Sequence, residues 1–443
     1  MSVTTRPPGR LGPSGGGGSG DPAGGARGPA AGAHALEPAP RRSLLTSLGE
    51  AGGRALAQPM TSFHLVVASG SLLLLLGLAE VLSASSIHSY LINDGDSYAV
   101  VARQATWAAI GLPFAVLAVR VPPRVLRIAA WPGLLLSIGL LALTYVPPFG
   151  VRVNGNRNWL SFGGPLQIQP SEFAKLALVV WVAAVLAKKE PLLDRWGHLL
   201  VPLVPVCIGV AGLVVGQGDA GTAVVFFAVA AGTLFLVGAP MRAFGVALGT
   251  GGAALAVLIA TNPNRLQRLV SFADPFADSG NSGYQAVQAV YALASGGWWG
   301  VGLGASRQKW GKLPEDYTDF IFAIIGEELG LIGALVVVAL FGVLGYAGFR
   351  IAARSGDLFS ALLAGGITVW MLTQACVNIA TVLGLLPIAG IPLPLVSYGG
   401  SALVPSLIAL GLLAGLARRE PAAALHLAAR AARRRRLRRE RRS

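Results

Sequence analysis

Long apolar runs broken by short polar stretches repeat along the chain at about residues 63–83, 98–118, 125–147, 172–187, 198–216, 220–238, 243–260, 319–346, 357–384 and 397–417. A run of about 20 apolar residues crosses the roughly 30 Å hydrocarbon core of a bilayer as a helix. The pattern therefore predicts an all-α polytopic membrane protein with ten transmembrane helices, the fourth being short. Two connections are longer and more polar than the rest, 148–171 and 261–318.

Basic residues orient these spans, because short loops rich in Lys and Arg stay cytoplasmic. Arg41, Arg42 and Arg54 precede the first run, Arg120, Arg124 and Arg127 separate the second and third, and Lys188, Lys189 and Arg195 follow the fourth. Arg242, Arg350, Arg354, Arg418 and Arg419 continue the series on the same side if there are ten spans. Both termini are then cytoplasmic and the two long loops extracytoplasmic. Three domains follow: a disordered cytoplasmic tail 1–59, a transmembrane domain 60–419 with extracytoplasmic loops 148–171 and 261–318, and a basic cytoplasmic tail 420–443. Residues 1–59 are rich in Gly, Pro, Ala and Arg and lack apolar periodicity, which predicts disorder. No short apolar core with a cleavage site precedes the first run, which reads as a signal anchor.

Composition agrees with this class: 53% of the 443 residues are hydrophobic and 12% are charged. The two cysteines, Cys207 and Cys376, fall inside apolar runs, so neither a disulfide framework nor a structural metal site is expected. The net charge of +15 is concentrated at the C-terminus, where eleven arginines face Glu420 and Glu440 from Arg418 onward. Beside a cytoplasmic membrane end such a run attracts anionic lipids. Nucleic acid is disfavoured, since no aromatic residues interleave for base stacking.

Candidate chemistry gathers on the outward side. Trp310 to Gly330 carries Glu315, Asp316 and Asp319 into an apolar run, which places Asp319 where water meets lipid. Two readings stand there: a proton acceptor tuned by partial desolvation, or a helix cap. Glu172 and Lys175 lie three residues apart at the head of the fourth run, and Asp219 stands at the same outward level between the fifth and sixth. Intramembrane ionisable residues face a cavity or one another by default. Trp159 reads as an interfacial anchor in the first long loop. Arg265, Arg268, Arg307, Lys309 and Lys312 break the positive-inside trend in the second, which suits an anionic headgroup or simply balances the loop's own carboxylates.

The segments NGNRNWLSFGGPLQIQPSEFAK, GYQAVQA, GGWWGVGLGASRQKW, LPEDYTDFIFAIIGEELG and IPLPLVSYGGSAL resemble the SEDS family of cell-wall polymerases (FtsW, RodA and SpoVE), and most of all its FtsW members. The resemblance runs from about Phe63 to Arg419. It implies a peptidoglycan glycosyltransferase of the cytoplasmic membrane that polymerises lipid II at the division septum, beside a class B penicillin-binding protein and other division proteins. Asp319 matches the family's proposed catalytic aspartate. Glu172, Lys175 and Asp219 match polar residues of its central cavity, and Arg157, Trp159, Gln285, Gln288, Arg268, Lys309 and Ser397 fall in the matching motifs as substrate-binding candidates. Gln217-Gly218-Asp219-Ala220-Gly221-Thr222 replaces a family pattern that carries a proline and a leucine, which affects the orientation of Asp219.

In the mechanism this implies, Asp319 takes the proton from the acceptor's GlcNAc 4-hydroxyl as it attacks the donor's anomeric carbon, expelling undecaprenyl pyrophosphate. Arg and Lys groups, with a divalent cation such as Mg2+ or Mn2+, would stabilise the phosphate charge, and no nucleotide is needed. Competing readings are a lipid II transporter, in which Asp319 couples protons, and a scaffold that activates the penicillin-binding partner.

Overall fold

The computed structural model describes residues 58–441, apart from 154–155, 164–166, 193–194, 261–270, 278–279 and 281–282. The N-terminal tail up to residue 57 and Arg268 lie outside the described residues.

Every predicted apolar run falls on a helix. In chain order these are α1 (Thr61–Ile92), α2 (Ala99–Arg120), α3 (Pro123–Leu143), α4 (Pro170–Lys188), α5 (Trp196–Gly216), α6 (Ala220–Leu236) and α7 (Met241–Ala260). A short α8 (Tyr284–Gly296) lies in the second long loop, followed by α9 (Ile321–Arg354), α10 (Leu358–Val382), α11 (Leu403–Ala417) and α12 (Pro421–Glu440). Among the described residues seven helical segments are long and apolar enough to cross a membrane, the last being Gly400–Ala417, which contains α11; α6 and the Leu200–Gly216 part of α5 are shorter apolar helices. Boundaries follow local chemistry. Pro123 and Pro170 occupy first-turn positions of α3 and α4, where a missing N–H costs nothing. Asp219 caps α6 by accepting from Thr222 N, and Asp357 caps α10 by accepting from Ser360 N.

Two departures from the predicted elements matter. The first long loop, expected as a polar connection, forms a three-stranded antiparallel sheet: β1 (Gly150–Val153), β2 (Asn156–Ser161) and β3 (Gln167–Ile168). Val151 pairs with Trp159, and Leu160 with Ile168. The second departure is in α9, which begins at Ile321 rather than at residue 319 and is interrupted at Gly330 (φ 68°, ψ −168°). Backbone groups freed by that interruption are taken up by the segment after α8. Leu331 N donates to Gly297 O, while Val301 N and Gly302 N donate to Glu327 O and Glu328 O. A side chain at Gly330 would strike Gly300 N and Trp298 O, so the contact exists only with glycine.

Helix packing relies on small residues. Gly411 and Gly415 of α11 lie directly on α2, where a Cβ at position 415 would stand 2.7 Å from Val119 O. Such spacing lets membrane helices approach closely without a hydrophobic driving force between them. Buried Trp181, Trp370, Phe226 and Phe359 fill the interior, whereas Leu72, Leu75, Ile128, Leu135 and Leu136 face outward.

Candidate functional site

A cavity of about 770 Å³ opens where the sheet, the turn before α6, the segment before α9 and the segment after α10 meet. Asp319 and Asp219 both line it. From the sheet come Asn156, Asn158 and Trp159; from α8 comes Gln285; from the segment before α9 come Glu315, Tyr317 and Thr318. The segment Leu386–Gly390 and Pro392 closes another wall, with Tyr398 and His88 beside it. Aromatic contacts link Tyr317, Tyr398 and His88: Tyr317 stands 5.7 Å from Tyr398 and 5.2 Å from His88, centroid to centroid.

Asp319 is not the cap of α9, because that position belongs to Phe320. Its backbone carbonyl accepts from Asn378 Nδ2 at 2.7 Å, and a Cβ at Gly390 would lie 3.8 Å from its Oδ2. Asp219 accepts from Thr222 N at 2.9 Å and from Thr222 Oγ1 at 2.7 Å, which fixes the carboxylate. Burial raises its pKa, and the two Thr222 hydrogen bonds oppose that rise. Next to the cavity, burial pushes the Asp316 carboxyl up to about 7 against the Tyr317 N–H, with the neighbouring Glu315 charge adding to the rise. The Tyr317 hydroxyl is likewise raised by burial and by Glu315 and Asp316. Glu315 has a positive φ of 59°, a strained conformation for a non-glycine residue, and its carboxylate accepts from Thr318 Oγ1 at 2.6 Å.

Of the residues singled out from the sequence, Asp319, Asp219, Trp159 and Gln285 meet in the cavity. Glu172 and Lys175 do not line it. They form a fully buried ion pair at 2.7 Å, and Lys175 Nζ also donates to Gln374 Oε1 at 2.7 Å. Lys309 stands apart as well, buried against Glu328 at 3.3 Å. Ser397 accepts from Leu393 N at 2.8 Å and is a buried turn residue. The backbone N–H of Arg157 bonds to Gln217 O, and its Nε is buried near Gly150. Gln288 is half-buried on α8 outside the cavity lining.

Sequence reasoning passed over a second polar cluster. Glu328 accepts from Ser83 Oγ at 2.7 Å and from the N–H groups of Gly304 and Ser306; Glu327 accepts from Ser306 Oγ and from Arg307 N. Glu80 is buried on α1, three residues before Ser83. A carboxylate inside an apolar run, as at Glu80, was the available signal. Among the described residues no three His, Cys, Asp or Glu side chains gather in a metal-holding group.

Helices long and apolar enough to cross a membrane, with a polar cavity among their connections, define a polytopic membrane protein. Comparison with known proteins narrows this class. Residues 63–421 match the family model described as "Cell cycle protein", which covers FtsW, RodA and SpoVE, and the chain belongs to that family. It is 41% identical over 377 residues to the probable peptidoglycan glycosyltransferase FtsW of Mycobacterium tuberculosis, covering 85% of this chain and 72% of that one. Stage V sporulation protein E of Bacillus subtilis is 39% identical over 350 residues, covering 78% and 94%. Among solved structures, a peptidoglycan synthase complex that coordinates polymerization and crosslinking aligns with a TM-score of 0.65 at 30% identity, covering 80% of this chain and 97% of that one. The rod shape determining protein RodA of Thermus thermophilus aligns with a TM-score of 0.59 at 29% identity, covering 80% and 96%.

Proposed function

We propose that this protein is a peptidoglycan glycosyltransferase that polymerises lipid II into glycan strands at the outer face of the cytoplasmic membrane. The observation that carries the reading is Asp319 on the wall of a 770 Å³ cavity also lined by Asp219, Gln285, Asn156 and Trp159. That volume is of the size that takes a ligand headgroup, and the mixed polar and aromatic lining suits sugar rings. Asp319 serves as the general base on the acceptor's GlcNAc 4-hydroxyl, while undecaprenyl pyrophosphate leaves from the donor. The carboxylates of Asp219 and Glu315 are already engaged by Thr222 and Thr318. Among the described residues no metal-holding group of side chains joins them, and a Mg2+ or Mn2+ ion would be carried by the substrate's pyrophosphate.

On the ten-span reading both termini are cytoplasmic and the cavity faces outward, which suits a donor that brings its own leaving group. A class B penicillin-binding protein is the cross-linking partner, in line with the synthase complex among the structural neighbours. Division at the septum is the process, a reading supported by the family description "Cell cycle protein" and by the relatives named FtsW. The arginines of α12 hold that helix near anionic lipid headgroups.

The test supplies lipid II to the purified chain with its penicillin-binding partner and resolves glycan polymer on a gel. Wild-type protein is expected to form polymer and folded Asp319→Ala and Asp319→Asn to form none. Full activity in folded Asp319→Asn would remove the base assignment. Absence of polymer from wild-type protein, with lipid II crossing liposome membranes, would replace polymerisation by transport.

A further inference from the structure

Helix α10 is apolar along most of its length, yet two amides, Gln374 and Asn378, stand four residues apart on its buried side. Residues so spaced share one helix face. Gln374 Oε1 accepts from Lys175 Nζ at 2.7 Å and from Trp370 Nε1 at 2.9 Å. Two donors on that atom fix the amide orientation and turn Nε2 toward Pro392 O, to which it donates at 2.9 Å. One turn further on, Asn378 Nδ2 donates both to Ile391 O at 2.8 Å and to Asp319 O at 2.7 Å.

The two carbonyl-bearing segments belong to different parts of the chain. One leads into α9 and carries Asp319; the other, Leu386–Pro392, forms a wall of the cavity. A single NH2 group thus ties the backbone of Asp319 to the opposing wall. Behind it, the fully buried Glu172–Lys175 pair holds Gln374 in place. With both ions out of solvent, that pair keeps one geometry, and it fixes its neighbour in turn.

We propose that Gln374 and Asn378 are positioning residues for the reaction, and that the Glu172–Lys175 pair acts through them rather than on substrate. The inference rests on the reading of Asp319 as the base. Without Asn378, a buried and a part-buried carbonyl oxygen lose a shared donor, and the cheapest response is for the segments to part. A displacement on the order of 1 Å at a reacting group can lower turnover about 100-fold.

The experiment compares Asn378→Ala, Asn378→Asp and Gln374→Glu in the full-length chain with its penicillin-binding partner, following lipid II polymerisation. Gln374→Glu keeps the acceptor for Lys175 and loses the donor to Pro392, so it tests the tie without emptying the interior. For Asn378→Ala and Gln374→Glu, kcat is expected to fall about 10-fold to 100-fold with KM for lipid II unchanged within about 3-fold. Asn378→Asp, which turns an acceptor toward two carbonyls, should fall furthest.

A second readout needs no turnover. In a Cys376→Ser background, Asp319→Cys is labelled with a methanethiosulfonate reagent, and adding Asn378→Ala or Gln374→Glu is expected to change the labelling rate several-fold. Unchanged kcat and unchanged labelling in folded Gln374→Glu would overturn the proposal, as would a loss confined to KM. If Asp319→Asn stays fully active while the labelling rate shifts, the positional tie holds and the base assignment alone fails.

Discussion

Replacing Lys309 by methionine separates a structural lysine from a substrate-binding one. The ammonium lies 3.3 Å from Glu328 Oε1, with 4% of the Lys309 side chain and none of the Glu328 side chain exposed. It also bonds to Gly304 O at 2.6 Å and Ser83 Oγ at 3.3 Å. At an effective dielectric constant of about 20, two charges at this distance attract by about 5 kcal/mol before desolvation is counted. Removing one partner of a buried pair costs about 3–5 kcal/mol, because the survivor stays buried and unpaired. Ser83 and the N–H groups of Gly304 and Ser306 still serve Glu328, which favours the lower end, about 3 kcal/mol.

A chain of this length loses roughly 1–2 °C of melting temperature per kcal/mol, by extension from smaller domains. Lys309→Met is therefore expected to melt about 3–6 °C lower in detergent, followed by tryptophan fluorescence or loss of the monodisperse gel-filtration peak. Adding Glu328→Gln to Lys309→Met removes the stranded charge and should recover more than half of the loss. Refutation would be an unchanged melting temperature in Lys309→Met together with a raised KM for lipid II. That result would assign the ammonium to the substrate's phosphates.

Two further outcomes follow from features around the cavity. Burial holds the Asp316 carboxyl near 7, above its value of 3.8 in an unfolded chain. The folded state thus binds more protons between those values, so stability falls as pH rises from about 4 to 7 and the penalty is complete above. Asp316→Asn should raise the melting temperature more at about pH 8 than at about pH 5, and an equal shift at both would refute the assignment. Gly330→Ala forces a Cβ into backbone at a φ of 68°, and a drop in melting temperature above about 5 °C is expected, whereas Gly342→Ala, which meets nothing within 4 Å, should melt like wild type.

The helices were legible because period and length survive in one dimension. Runs such as 98–118 and 220–238 lie on α2 and α6 to within a few residues. Asp319 and Asp219 were legible because a carboxylate at a span boundary is rare enough to notice. What stayed hidden was pairing. Nothing in the sequence joins Lys309 to Glu328 or Lys175 to Gln374, which lie 19 and 199 residues apart. Lys309 read as a ligand for an anionic headgroup or a counter-charge to its own loop, and Lys175 as a cavity residue beside Glu172; the structure supplies each with partners inside the protein. The interruption of α9 was masked for the same reason, since Gly330 sits in an apolar run and its replacement hydrogen bonds come from Gly297 to Gly302. Gln374 and Asn378 could have been noticed as two amides on one face of an apolar helix.

The interruption at Gly330 also sets a height. From Leu331 to Phe349 α9 is apolar, about 19 residues or roughly 29 Å of helix, which fills the hydrocarbon thickness unaided. On the orientation proposed above, the nine residues from Ile321 to Leu329 form a separate helical segment across the kink, up to about 13 Å long, beyond it. Asp319 then stands on a pedestal clear of the acyl chains, with the exposed Trp298 and Trp299 girdling its foot. A lipid-linked sugar would not have to sink into oil to reach the carboxylate; its headgroup would climb while its tail stayed below.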